Sequence, residues 1–92
     1  AMKNSIGSNV ETLYKLMEDR VEALEFIVNQ NCRMIGIRLQ DMKTRPNLLV
    51  AAINRQGKVI IPGGQDSFEA GDSVIIVTTE TGLQDIHEIL AE

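Results

Sequence analysis

The sequence predicts an α+β domain, built as a small, mostly antiparallel β-sheet with two helices. Apolar, β-branched runs alternate with short reversals, which is typical of strands that follow one another along the chain. The reversals are Gln56-Gly57-Lys58 and Glu69-Ala70-Gly71-Asp72. Two other stretches space their apolar residues as helices do. The predicted order is strand-helix-strand-strand-strand-helix, preceded by an N-terminal strand or helix.

The beginning of the chain is ambiguous. Residues 1–19 are predicted to be a linker segment carried over from a parent protein, and residues 20–92 the domain itself. The first two residues look like an expression remnant, so the chain is interpreted as a piece of a longer protein. Val10, Leu13 and Met17 fit helical spacing, but the same stretch also alternates as a strand would. Both alternatives stay open.

The first strand of the domain is predicted at Val21–Asn29. Leu24, Phe26 and Val28 share one face, while the opposite face is half polar. This asymmetry is typical of a sheet with one face on a core and the other at a subunit or solvent boundary.

Two helices are predicted from apolar spacing and capping signals. Cys32–Met42 repeats its apolar residues at i, i+4 and i+7, and Pro46 lies shortly after its end. Thr81-Gly82-Leu83-Gln84 fits a capping box for a last helix, with an inward stripe of Leu83, Ile86, His87 and Leu90.

The central segment, Asn47–Val77, is predicted to hold the middle of the sheet. Leu48–Ile53 is apolar at successive positions, so this strand should be covered on both faces. The run after Gly57 returns as a second strand ending at Pro62, and Gly71 should take a positive φ in the turn before the next strand.

Composition excludes several classes of function. The net charge is −4 without a basic run, which argues against a nucleic-acid surface. The single cysteine, Cys32, excludes an internal disulfide and is predicted to be a small buried or half-buried residue rather than a nucleophile. No metal-ligand spacing and no nucleophile–base pair occur, so the chain is predicted to be a non-enzyme.

The sequence also lacks a G-x-G-x-x-G turn, so no NAD or ATP cofactor is expected by that route. No apolar run is long enough for a membrane helix.

Three motifs occur in a fixed order: AAINR, KVIIP and AGDSVIIV. Together they resemble the C-terminal domain of the regulators of potassium conductance, the TrkA C-terminal domain family. The resemblance implies a cytosolic regulatory, ligand-sensing and dimerisation domain of a potassium uptake system. It implies a homodimer that reaches the inner face of the cell membrane through a transporter subunit, without inserting into the membrane itself.

Some relatives of this family bind cyclic di-AMP between two C-terminal domains, so the resemblance implies an effector site at the dimer interface. The candidate contacts lie at the strand end and in the opposing loop: Ile53, Asn54, Arg55, Ile61, Pro62 and Gly63. Arg55 would contact a phosphate through its guanidinium. The alternative for Arg55 is a solvated strand end or a salt bridge to Glu69 or Asp72.

Two other functions are compatible with the sequence. The domain would be a purely structural dimerisation module, or a regulatory domain attached to another transporter or to a transcription regulator. The domain alone does not distinguish these functions, because a fold does not fix a function. Sequence upstream of residue 1 would identify the transporter or transcription regulator to which the domain is attached.

Overall fold

A computed structural model of the chain describes residues 21–91. They form one four-stranded sheet in the order β1-β4-β2-β3. The strands are β1 (Glu22–Ile27), β2 (Leu48–Arg55), β3 (Lys58–Ile60) and β4 (Ser73–Thr78). The predicted linker segment at the N-terminus lies outside the described residues.

The last strand in sequence is central in the sheet. β4 pairs with β1 on one side and with β2 on the other, and every pairing is antiparallel. Ile76 therefore lies between Leu24 and Val50. The small antiparallel sheet predicted from the sequence is confirmed.

The core lies on one face of this sheet. It is mostly aliphatic, and its fully buried aromatic residue is Phe68. Its buried members are Val28, Cys32, Met34, Leu48, Ile53, Phe68, Val74, Ile76, Ile86 and Ile89. Cys32 is 6% exposed, so the prediction of a small buried cysteine is confirmed.

A β-bulge in β2 decides which side chains reach the core. The pairing with β4 skips Ala51, so that Val50 lies opposite Ile76 and Ala52 lies opposite Ile75. Without this extra residue, strict alternation would turn Ile53 away from the core. With it, Ile53 is fully buried.

β2 and β3 are joined by a tight hairpin turn. Gln56 and Gly57 both have positive φ, at 53° and 81°. Two successive positive φ values are those of a type I′ turn, whose twist matches that of the flanking strands. The reversal predicted at this point is thus present.

The two predicted helices are not confirmed, because each site holds only one turn of 3₁₀ helix, at Leu39–Asp41 and at Ile86–Ile89. In the predicted helix Cys32–Met42, Gly36 has φ 84°, which interrupts a right-handed helix. The backbone N–H groups also bond elsewhere: Gly36 donates to Phe68 O at 3.3 Å. This segment follows a neighbouring loop instead of closing on itself.

The last helix is short for a similar reason. Its N-cap is Asp85, which forms a capping box with Glu88, rather than the predicted Thr81–Gln84. After one turn the backbone pairs with the preceding segment, since Ala91 N donates to Lys43 O at 2.9 Å. The following residues are thus used in a tertiary pairing.

Candidate functional site

Asp72, a buried charged residue, forms an ion pair with Arg55. Arg55 Nε donates to Asp72 Oδ1 and Arg55 Nη2 donates to Asp72 Oδ2, both at 2.9 Å. Such a two-point contact fixes both side chains. The Asp72 side chain is 1% exposed and that of Arg55 is 26% exposed. The pair joins the end of β2 to the start of β4.

Further contacts complete the surroundings of this pair. Arg55 Nη1 lies 3.1 Å from Glu69 Oε2, and Arg55 Nη2 donates to the Ser67 carbonyl at 2.9 Å. Asp72 Oδ2 also accepts a hydrogen bond from the Glu69 N–H at 2.8 Å. The guanidinium is therefore surrounded by acceptors that belong to its own chain.

These contacts act on the charge states of both groups. The hydrogen bond from Arg55 lowers the pKa of Asp72 below its ordinary value; burial opposes this, and the Glu69 N–H and the Arg55 charge add to it. The same hydrogen bond raises the pKa of Arg55 above its ordinary value. Both groups are consequently charged at neutral pH.

The turn before β4 brings Asp72 into position. Gly71 has φ 91°, as expected for the glycine of this turn. Gly71 N donates to Val28 O at 2.6 Å, and Val28 N donates to Asp72 O at 2.8 Å. The end of β1 is thus bonded to the same turn that carries the buried carboxylate.

The predicted effector contacts lie on and after the β2–β3 hairpin, but their side chains do not converge. Ile53 is buried in the core, and Arg55 is held by Asp72. Asn54 is exposed, and Ile61 is 76% exposed. Gly63 donates its N–H to Asp66 Oδ2 at 2.7 Å. Their role in ligand binding stays a prediction.

Pro62, the remaining member of that set, is half-buried at the start of the loop after β3. A nest of free N–H groups in this loop would hold an anion. In the structure, Asp66 N donates to Gly63 O at 3.1 Å, so the loop closes on itself.

The second face of the sheet is apolar and partly uncovered; we call it the outer face. The side chains that alternate with the core residues lie on it: Ala23, Glu25, Ile27, Leu49, Ala52, Asn54, Val59, Ser73, Ile75 and Val77. Ile27 is 62% exposed and Val59 is 65% exposed. These two residues lie on opposite edge strands, with Ser73 and Asn54 between them in the same row of the face. Exposed apolar side chains on a sheet face are a feature of interaction surfaces. The prediction that β2 is covered on both faces holds only in part, since Leu49 is half-buried.

Comparison with known proteins identifies the family. The family model of the TrkA-C domain matches residues 23–91. The chain belongs to the TrkA-C domain family.

Several curated relatives are similar to this TrkA-C domain. The Trk system potassium uptake protein trkA homolog 1 of Methanosarcina mazei is 28% identical over 72 residues, which cover 78% of this chain and 18% of the relative. Homolog 2 of the same organism is 30% identical over 70 residues, 76% of this chain and 16% of the relative. The TrkA homolog of Pyrococcus abyssi is 26% identical over 76 residues, 82% of this chain and 34% of the relative. The chain thus spans a minor part of the length of each of them.

Two of the motifs that carried the family resemblance meet in the ion pair. Arg55 is the last residue of AAINR, and Asp72 is the third residue of AGDSVIIV. In this TrkA-C domain the motifs therefore form a structural joint between β2 and β4. Glu69, which the sequence offered as an alternative partner of Arg55, contacts it as well.

A contact between distant parts of this TrkA-C domain was not predicted. The Arg33 N–H donates to His87 Nε2 at 3.2 Å, while His87 Nδ1 lies 3.0 Å from Asp85 Oδ1. The N–H and side chain of His87 lower the pKa of Asp85 below its ordinary value. The sequence placed His87 on an inward helical stripe, and only the Asp85–Glu88 spacing signalled the true cap.

Neither a metal-binding cluster nor a membrane-spanning helix is found in the part of the TrkA-C domain that the structure covers. Between residues 21 and 91, no group of three or more His, Cys, Asp or Glu side chains is arranged to hold a metal ion. Over the same range, no helix is long and apolar enough to cross a membrane.

Proposed function

We propose that this chain is a non-catalytic regulatory and dimerisation domain of a Trk-type potassium uptake protein. The family match and the names of the relatives support the potassium uptake system. In the cell the domain would lie in the cytoplasm, held at the inner face of the membrane by a transporter subunit. A change in the geometry of the dimer would be passed to that subunit.

The outer face of the sheet is the observation that carries the dimer. It presents Ile27 and Val59 to solvent at its two edges, with half-buried Leu49, Ile75 and Val77 on the strands between them. A second copy would remove this apolar area from water, which favours association. A two-fold contact of identical faces also closes, so the assembly would stop at two copies.

Sedimentation equilibrium of the 92-residue chain tests the dimer. We expect a dimer for the wild type and a monomer for Val59→Asp, because an unpaired carboxylate would be buried at the contact. Ile37→Asp is the matched control, since Ile37 is 40% exposed but lies outside the sheet. A monomeric wild type would refute the dimer. An equal effect of both variants would refute the assigned face.

An effector at the dimer interface is the second part of the proposal. The hypothesis is a small anionic ligand such as cyclic di-AMP, bound near Ile53, Asn54, Arg55, Ile61, Pro62 and Gly63 of both copies. Because the Ile53 side chain is fully buried in the core, it would support the site rather than touch the ligand. The exposed Asn54, on the outer face, and the exposed Ile61 beyond β3 support this placement. An anion at Arg55 would have to compete with Asp72 and Glu69, so the main polar contact is expected from Asn54.

Calorimetry with cyclic di-AMP, with cyclic di-GMP as the comparison ligand, tests the effector. Arg55→Ala is an unsuitable variant, because it would also remove the partner of a buried carboxylate. Asn54→Ala and Ile61→Ala change exposed side chains and leave the ion pair intact. Heat for cyclic di-AMP that is lost in these variants would support the site. No heat at high micromolar protein would leave a purely structural dimerisation module as the function.

A further inference from the structure

An open groove lies away from the outer face, between the loop that follows β1 and the C-terminal residues; we call it the Met34 groove. Its volume is about 420 Å³. Small-molecule pockets typically enclose about 300–1,000 Å³. The lining residues are Arg33, Met34, Ile37, Asp41, Met42, Lys43 and Leu90.

The floor of the Met34 groove is apolar. Met34 is 1% exposed, and Met42 and Leu90 are half-buried. Ile37 is 40% exposed, although it is a large apolar residue. Methionine side chains are flexible and polarisable, so they adapt to irregular apolar groups. A ligand for this floor needs an apolar body.

The rim of the groove carries an excess of positive charge. Arg33 and Lys43 line it, and neither forms a direct ion pair with a carboxylate elsewhere in residues 21–91. The charge of Arg33 also acts on Asp85, where it is a minor cause of the lowered pKa of that carboxyl. The carboxylate of Asp41 is paired with Arg38 at 2.9 Å. This local excess occurs in a chain whose net charge is −4. The rim is therefore complementary to an anionic head group.

The walls of the groove are held by backbone hydrogen bonds. Arg45 N donates to Ile89 O at 2.8 Å, and Ala91 N donates to Lys43 O at 2.9 Å. The Arg33 N–H donates to His87 Nε2 at the other end. A groove fixed in this way is largely formed before a ligand arrives, which lowers the entropy that binding costs.

We propose that the Met34 groove binds a small organic anion with an apolar body, of the class of medium-chain carboxylates. The apolar chain lies on Met34, Ile37, Met42 and Leu90, and the carboxylate contacts Arg33 and Lys43. This site shares no residue with the predicted effector contacts on the β2–β3 hairpin. It would give the domain a second input, independent of the dimer interface.

Titration with decanoate, below its micelle concentration, tests the proposal on the 92-residue chain. With ¹³C-methyl methionine labels, we expect the Met34 and Met42 signals to move with saturation. Decanol, which has the chain without the charge, should bind more weakly. Arg33→Gln and Lys43→Gln should each weaken the affinity for decanoate by about two- to fivefold, which corresponds to the loss of one exposed ion pair. Lys58→Gln, an exposed cation on β3, should leave the affinity unchanged.

Paired variants locate the apolar contact. Ile37→Asp should abolish the methionine shifts, whereas Val59→Asp, on the outer face, should leave them unchanged. The spectrum of each variant without decanoate reports whether the chain remains folded. The proposal is overturned if the Met34 and Met42 signals do not move or if decanol binds as tightly as decanoate. It is equally overturned if Val59→Asp, rather than Ile37→Asp, removes the response.

Discussion

Arg55 and Asp72 share one ion pair but not one environment. The Asp72 side chain is 1% exposed, while the Arg55 side chain keeps 26% of its surface in contact with solvent. Two hydrogen bonds of 2.9 Å join them. Because only the carboxylate is shielded from water on all sides, the two partners should not be equally costly to remove.

Replacing Arg55 with Ala should destabilise the domain more than replacing Asp72 with Asn. Arg55→Ala leaves a buried carboxylate without its counter-ion, which costs about 3–5 kcal/mol. In Asp72→Asn the guanidinium can turn towards water, and the loss should be about 1–3 kcal/mol. Urea unfolding of both variants measures the difference.

Arg38→Ala is the control for this comparison. Its ion pair with Asp41 is also 2.9 Å long, but both side chains are more than half exposed, at 55% and 52%. The expected loss is about 0–1 kcal/mol. A larger loss for Asp72→Asn than for Arg55→Ala would contradict the asymmetry.

The stability of the domain should decrease in acid because of Asp72. Its pKa is lowered in the folded state, mainly by the hydrogen bond from Arg55. This contribution is complete above the unfolded-state pKa of about 3.9 and is lost as the pH falls through the lower, folded-state value. Unfolding midpoints measured between neutral pH and strong acid should show a shallower decline in Asp72→Asn than in the wild type. Parallel curves for the two proteins would show that another carboxylate causes most of the loss of stability in acid.

The turn between β2 and β3 should respond to two substitutions in opposite directions. Gly57 has φ 81°, so Gly57→Ala should cost about 1–2 kcal/mol. Gln56 already has φ 53°, and Asn adopts this conformation more readily, so Gln56→Asn should stabilise by up to about 1 kcal/mol. Thermal unfolding of the two variants provides the test, and a destabilising Gln56→Asn would argue against the type I′ turn.

Phe68 should be the most sensitive aromatic position of the described core. It is fully buried, and its carbonyl accepts the Gly36 N–H at 3.3 Å. Phe68→Ala should cost about 3–5 kcal/mol, a large share of the roughly 5–15 kcal/mol that holds a small domain folded. Phe68→Leu keeps most of the volume and should lose less. Equal losses in denaturant titrations would indicate that packing at this site tolerates a cavity.

His87 should carry its proton on Nδ1 in the neutral form. Its Nε2 accepts the Arg33 N–H at 3.2 Å, so that atom holds a lone pair, and Nδ1–H faces Asp85 Oδ1 at 3.0 Å. Long-range ¹H–¹⁵N spectra of the neutral imidazole identify the tautomer. An Nε2–H tautomer would show that the Arg33 contact is not made.

The sheet was predictable because its signals are local. The β-branched runs, the glycine turn at Gly71 and the reversal at Gly57 each specify their own conformation. The helices were not, because the segment around Gly36 and the C-terminal residues use backbone N–H groups in bonds to distant parts of the chain. Apolar spacing alone does not reveal such tertiary partners.

For the candidate site, the sequence identified the residues but not their geometry. It left two interpretations of Arg55 open: a contact to a phosphate, or a solvated strand end or salt bridge. In the structure, Glu69 and Asp72 both contact the guanidinium. The bulge at Ala51 that turns Ile53 and Arg55 to the core side has no clear signal in an apolar run. The Met34 groove was not predicted either, since its walls meet only after folding.

The strand order has a consequence for synthesis of the chain. β1 leaves the ribosome first, yet its neighbour in the sheet is β4, which emerges after the β2–β3 hairpin. Until then β1 and one edge of β2 expose unpaired backbone groups, which nascent chains and chaperones can bind. A chain that terminates just after the hairpin would therefore be an aggregation-prone fragment rather than a smaller folded unit.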